Sequence, residues 1–281
     1  MATVPMIGRW AVLLAAALGT VPAWTQEAAP APSGYQIDEI RHLPGLLWDD
    51  TKTLARLPGD WTRSQWTEAG LGLAAVAATG LLLDRTVDDA VQRSDHPAWR
   101  NAAKNVAQLG GVGGLVLIGA GYLGSSALGQ DEARALWTDT GIATVLARAT
   151  AFTVQVAVGR DTPSANQGPH DFRPFSSQDS FPSGHASQAF AMASAISMHA
   201  DSPWVGGVAY GLAGLVGLAR METRDHYASD VVAGALVGTT IGRAVVRVNQ
   251  GRREGTGPRA EFSVVPAWGR DYRGICLAAK F

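Results

Sequence analysis

Two stretches decide how this chain is read: Phe181-Pro182-Ser183-Gly184-His185, and Arg220-Met221-Glu222-Thr223-Arg224-Asp225-His226-Tyr227-Ala228-Ser229-Asp230. Each leads into an apolar segment, residues 186–200 and 231–242. Proline suits the first turn of a helix and serine can cap one, so the first stretch predicts a helix opening at Ser183 and Gly184. Backbone N–H groups at such a start point outward and bind anions. Gly184 lacks the side chain that would block close approach, and His185 then stands beside the anion. In the second stretch His226 and Asp230 are four apart. If Asp225 or His226 opens the next helix, they share a face. A carboxylate bonded to one ring nitrogen fixes the tautomer and leaves the other free to attack. Arg220 can grip two phosphate oxygens. Together these groups form a set for phosphoryl transfer without a metal. No metal ligand set and no cofactor is expected.

Working outward, six segments carry few charges: residues 69–83, 106–130, 140–158, 186–200, 203–219 and 231–242. Their alanines and glycines suit close helix packing. The fold class expected is all-α, a helical bundle of about six core helices with a short C-terminal β-like hairpin. Most of these segments fall short of the ~20 residues that cross a bilayer. Residues 44–66 hold several Trp, Leu and charged residues and read as amphipathic. After Arg243 a polar, Gly-rich stretch leads to two β-like pieces, 262–265 and 275–281, around Gly269-Arg270-Asp271.

Composition narrows the class. Hydrophobic residues make up 47% of the 281 and charged residues 17%, against about 25% charged in an ordinary domain, so much of the chain is buried in protein or lipid. A net charge of −1 argues against a nucleic-acid partner. The single cysteine, Cys276, leaves no intrachain disulfide and no cysteine-rich metal site. Arg9 before the apolar run 10–21, with small residues following, has the pattern of a signal peptide, with a retained anchor helix as the other reading. The expected organisation is signal peptide 1–25, linker and amphipathic segment 26–64, catalytic domain 65–248, and polar linker with tail 249–281.

The Pro182-Ser183-Gly184-His185 segment resembles the second motif of the type-2 phosphatidic acid phosphatases. Arg220, five residues, His226, three residues and Asp230 match their third motif in spacing and type. The likeness takes in most of residues 65–245 and extends to the wider superfamily that includes vanadium haloperoxidases. It implies that His226 attacks phosphorus, His185 protonates the leaving group and Asp230 orients the nucleophile. It implies a metal-independent phosphatase acting on a phosphorylated lipid or small phosphate ester through a phosphohistidine. Alternative readings are a degenerate member that binds phosphate lipids or a partner, and a vanadium-dependent haloperoxidase.

The family's first motif, Lys, six residues, then Arg-Pro, is degenerate here. Aligning on Gly159, Arg160 and Pro163 puts Gln155 in the Lys position and Thr162 in the Arg position. No lysine occurs between Lys104 and Lys280, so a shifted register restores none. The expected phosphate-binding set is therefore Arg220, Ser183, Gly184, Arg160, Gln155 and Arg148. Arg148 stands seven residues before Gln155 in an apolar helix, two turns away on one face. It either cradles phosphate or makes a structural ion pair, with Asp139 as the candidate partner. The ~10.5 Å rise over seven helical residues exceeds its reach, so it needs help from Gln155 or a water. Arg173 and Arg224 rim the expected pocket or make surface contacts. His42, His96, His170 and His199 read as solvated.

In membrane members of this family the active site faces outward. Six full spans with that orientation put the N-terminus inside, whereas a cleaved signal puts it outside. The chain is therefore expected to be exported and periplasmic, soluble or peripheral, with an integral inner-membrane protein as the alternative. Membrane surface or bilayer is a possible partner, and the oligomeric state is open.

Overall fold

The computed structural model describes residues 35–94, 97–255, 261–268 and 273–280. The expected signal peptide, the linker up to residue 34, His96 and the Gly269-Arg270-Asp271 turn lie outside these. Nine α-helices stand among the described residues: α1 Leu43–Arg56, α2 Arg63–Leu82, α3 Asp84–Arg93, α4 Pro97–Ala107, α5 Val112–Ala127, α6 Asp131–Val158, α7 Gly184–His199, α8 Pro203–Glu222 and α9 Ala228–Arg253. Two strands follow, β1 Glu261–Trp268 and β2 Arg273–Lys280, paired antiparallel from Glu261 with Lys280 to Trp268 with Arg273. The expected tail hairpin thus pairs within itself.

Each of the six apolar segments is helical, and most run longer than their apolar cores. α6 opens on Asp131 and Glu132, and α9 closes on Arg252 and Arg253. Acidic groups at a helix start and basic groups at its end complement the backbone dipole, so charged ends extend helices that an apolar run alone marks short. Segment 106–130 is not one helix. It breaks at Gly110 and Gly111, and its two arms meet at 44°. α2 and α3 likewise bend by 48°.

Six long elements alternate in direction. Gly111, at the start of α5, lies beside the His185 ring, and Tyr122, near the end of α5, donates a hydrogen bond to the Asp38 carbonyl at 2.9 Å. α6 ends at Val158, α7 begins at Gly184, α8 ends at Glu222 and α9 begins at Ala228, all beside the two motifs. α7 is the central helix and packs on α6, α8 and α9. All eight residues from Ala186 to Ala193 are buried, with Phe190 fully so. α9 approaches α7 through Gly234, Gly238 and Gly242, four apart. A methyl group on Gly234 would stand 2.5 Å from the Ser183 carbonyl, and one on Gly242 2.8 Å from that of Ala191. Small residues at this spacing let helix backbones touch.

At the opposite end from the motifs lies a buried ionic cluster. Arg253 bridges Asp38 and Asp139, each at 2.7 Å. Asn249 donates to Asp139 at 2.9 Å and to Asp50 at 3.2 Å, and Arg252 pairs with Asp50. His199 bonds Asp139 at 2.8 Å. These contacts correct three expectations. His199 is not a solvated residue. Asp139 is not the partner of Arg148. Residue 248 is no boundary either, because α9 continues through it to Arg253. The same contacts fasten the segment carrying Asp38 and Asp50 to the bundle.

α6, α8 and α9 are 28, 20 and 26 residues long and apolar enough to cross a membrane, and counting each bent pair as one span gives five. At 1.5 Å per residue even the shortest reaches the ~30 Å of a bilayer core. Large apolar side chains cover the outside: Leu73 on α2, Val116 on α5 and Trp204 on α8 are 72%, 64% and 82% exposed. Soluble proteins rarely leave such surface bare. These are the features of a membrane protein, and they overturn the expectation that most helices are too short to span.

Candidate active site

Ser183 caps α7, its Oγ accepting from the Ala186 N–H at 3.4 Å. Its own N–H donates to the Asp230 carbonyl at 2.9 Å, which ties the second motif to the third. Gly184 and His185 are the first two residues of α7, where N–H groups have no partner within the helix. The start of α7 thus presents backbone N–H groups at the place where the anion cradle is expected.

His226 does not open the following helix. It sits in the turn before α9, whose N-cap is Tyr227. The ring is buried, at 6% exposure, and its Nδ1 lies 2.7 Å from the Ser180 carbonyl. A carbonyl only accepts, so Nδ1 carries the proton and Nε2 keeps its lone pair. Burial, then the Arg220 charge, lowers the pKa of His226 to about 3, so the ring is neutral. His185 is half-buried and lies within electrostatic reach of Arg220 and Arg148.

Asp230 does not touch His226, contrary to the expected direct carboxylate–imidazole bond. Its Oδ2 accepts from Ser180 Oγ at 2.6 Å and from the Tyr227 N–H at 2.8 Å. Asp230 therefore holds both the residue whose carbonyl orients His226 and the backbone next to His226. Its other oxygen pairs with Arg160.

Arg160 is not a phosphate ligand. It is 3% exposed and donates to Asp84 Oδ2 at 2.7 Å, to Ser229 Oγ at 2.7 Å, to Asp230 and to the Pro169 carbonyl. Its guanidinium stacks on the Tyr227 ring, 4.4 Å from the centroid. With both flanking carboxylates satisfied by it, this cation has nothing left for a substrate. Asp84 in turn accepts from Ser229 N and Oγ at 2.8 and 2.6 Å. Arg224 is held by Asp88 at 2.8 Å and by the Pro163 carbonyl at 2.6 Å, and Arg173 pairs with Asp171 and Asp161. Both take the surface-contact reading. His170 and His42 are exposed, as expected.

Arg220 pairs with Asp225 at 3.1 Å, and its buried Nε has no hydrogen-bond partner. Arg148 donates from Nη1 to Gln155 Oε1 at 3.0 Å, and Gln155 Nε2 donates to the Pro182 carbonyl at 2.8 Å. The structure therefore brings together His226, His185, Arg220, Ser183, Gly184, Gln155 and Arg148, with Asp230 one step behind, and leaves Arg160 out. Ser180 and Gly111 were not expected. A methyl group on Gly111 would stand 3.0 Å from His185 Nε2. A backbone carbonyl has no side-chain signature, so nothing in the sequence marks Ser180. Asp84 did carry a signal, since a carboxylate beside an apolar run needs a partner.

Residues 137–254 match the family model of the PAP2 superfamily. It is 39% identical over 66 residues to a lipid A 1-phosphatase from Porphyromonas gingivalis, an alignment that covers 23% of this chain and 15% of that protein. Among solved structures, it is similar to Aquifex aeolicus LpxE, with 22% identity over 59% of this chain and 95% of that one and a TM-score of 0.44. It is also similar to the first transmembrane PAP2-type phosphatidylglycerolphosphate phosphatase from Bacillus subtilis, with 19% identity over 76% of this chain and 96% of that one and a TM-score of 0.41.

Proposed function

We propose that this protein is a membrane-embedded, metal-independent phosphatase that removes a terminal phosphate from a phosphorylated lipid through a phosphohistidine on His226. One observation carries the reading. His226 is buried and neutral, with Nδ1–H committed to Ser180 and Nε2 free, among two guanidinium groups and the opening of α7. In the first step Nε2 forms a bond to phosphorus and the phosphorus–oxygen bond to the lipid breaks. The departing oxygen takes a proton from His185. In the second, water attacks phosphorus, gives a proton back to His185, and phosphate leaves with His226 restored as neutral imidazole. Arg220, Arg148 and the N–H groups of Gly184 and His185 face charge that spreads over three oxygens in the transition state.

The match to a lipid A 1-phosphatase and the apolar surface together favour a lipid substrate over a soluble ester. A glycolipid or phospholipid monoester fits equally. We place the site on the outward, periplasmic face, as the family resemblance implies.

The test is turnover of a short-chain lipid phosphomonoester in detergent. His226→Ala abolishes release of phosphate, and His185→Ala slows it by about 10²- to 10⁴-fold, the usual cost of losing a general acid. Quenching the wild-type protein with radiolabelled substrate yields an acid-labile, base-stable phosphoprotein. A His226→Ala protein of near-normal activity would falsify this mechanism. Wild-type turnover at background leaves the binder reading in its place.

A further inference from the structure

We infer that Arg148, held by Gln155, supplies the phosphate-binding cation that the first motif has lost. The inference rests on the phosphatase reading above and names the group that completes its anion site.

Gln155 occupies the position where the superfamily carries lysine, and a neutral amide there cannot hold a dianion. Its side chain instead works as a bracket. One end donates to the Pro182 carbonyl at 2.8 Å, on the loop that delivers the second motif. The other end accepts from Arg148 Nη1 at 3.0 Å. The two-turn rise that puts Arg148 out of reach is closed by the two side chains meeting halfway. The result places a guanidinium against the start of α7. A methyl group on Gly184 would stand 2.8 Å from Nη1, 3.0 Å from Cζ and 3.2 Å from Nε of Arg148. Gly184 therefore gives room for the cation as well as for the anion.

Charge balance points the same way. Arg160, Arg173, Arg224, Arg252 and Arg253 each face a carboxylate. Arg148 faces none among the described residues; its hydrogen-bond partner is an amide. A guanidinium in an apolar helix, partly buried and without a counter-charge, is costly unless an anion arrives. The anion site at the head of α7 is the place its charge acts, since both His185 and His226 feel it. Arg148 is thus a substrate-binding residue and Gln155 a positioning residue. Only one of the two missing cations is replaced. Thr162 hydrogen-bonds Ser164 at 2.9 Å, and the nearby Arg224 is neutralised by Asp88.

The experiment measures inhibition by orthovanadate together with kcat/KM on the same lipid phosphomonoester, for full-length protein in detergent. Arg148→Gln is expected to lower kcat/KM by on the order of 10²-fold, the usual effect of removing one such donor, and to weaken vanadate inhibition in parallel. Adding Gln155→Lys to Arg148→Gln returns a lysine to the family position and is expected to recover at least about tenfold of the loss. Gln155→Ala keeps the cation but frees it, and is expected to raise the vanadate constant less than Arg148→Gln does. If Arg148→Gln does not fold by circular dichroism, Arg148→Lys keeps the charge and loses the fork, and both readouts are expected to weaken about tenfold. Unchanged kcat/KM and vanadate inhibition in the folded Arg148 variant, with His226→Ala inactive, overturn this inference and leave the phosphatase reading standing. An active His226→Ala overturns the phosphatase reading itself.

Discussion

The proton on His226 is assigned by a backbone carbonyl and not by the carboxylate four residues on. Ser180 O accepts at 2.7 Å, so the Nδ1–H tautomer is fixed even though Asp230 never meets the ring. The sign of the titration follows. Burial and Arg220 lower the pKa from 6.5 to about 3. In the proposed mechanism the reactive form is the unprotonated one, so His226 stays competent as pH falls from 7 to 5 and is lost only near the lowered value. Nitrogen-15 NMR of histidine-labelled protein checks this directly. We expect one imidazole in the Nδ1–H tautomer that does not titrate above pH 5 and disappears in His226→Ala. An imidazolium signal from that residue at pH 6, or the opposite tautomer, contradicts the assignment. Asp230 acts one bond further out, through Ser180 Oγ and the Tyr227 N–H. Its removal therefore acts on the orientation of His226.

Among the elements, α9 does two jobs at its two ends. Its first turn anchors Asp230 and Ser229 against Arg160 and Asp84. Its last turn carries Arg252 and Arg253 into the cluster with Asp38, Asp50 and Asp139. All three carboxylates are essentially inaccessible to solvent. Losing the cationic half of a buried pair typically costs about 3–5 kcal/mol. Truncation after Gly255 removes the hairpin and keeps the cluster, and the shortened protein is expected to retain its melting temperature and phosphatase rate. Truncation after Asn249 removes both arginines and is expected to give little folded protein in detergent, judged by size-exclusion chromatography and thermal unfolding. A stable, active protein ending at Asn249 would show that the cluster contributes nothing.

For the whole molecule, alternation of α2, α5, α6, α7, α8 and α9 puts His185, Arg220 and His226 at one end, with Asp38 and Arg253 at the other. If all six cross the bilayer, residues 35–62 lie on the side away from the site. A cleaved secretory signal before them and an outward-facing site then exclude each other, and the outward site implies that residues 35–62 face the cytoplasm. Two measurements decide. Alkaline carbonate is expected to leave the protein in the membrane pellet, and release into the supernatant would contradict a spanning bundle. Reporter fusions within residues 161–178 and after Phe281 are expected to report opposite sides, the first periplasmic.

The sequence by itself determined the two motifs, the order of six apolar helices and the absence of lysine from the first motif. Each is a local pattern, a cap, a spacing or a composition, that needs no knowledge of distant partners. Only the tertiary structure separated the arginine that carboxylates neutralise from the one that an amide holds. Arg160 and Arg148 look alike in sequence, each an arginine near the first motif. They separate because Asp84, brought from 76 residues upstream, neutralises Arg160 together with Asp230, whereas Gln155 receives Arg148 without neutralising it. The same holds for the length of α6 and α9. The charged end of α9 is stable inside the bundle because Arg253 meets Asp139 of α6 there, 114 residues apart. A pairing of that range is written in no window of the sequence.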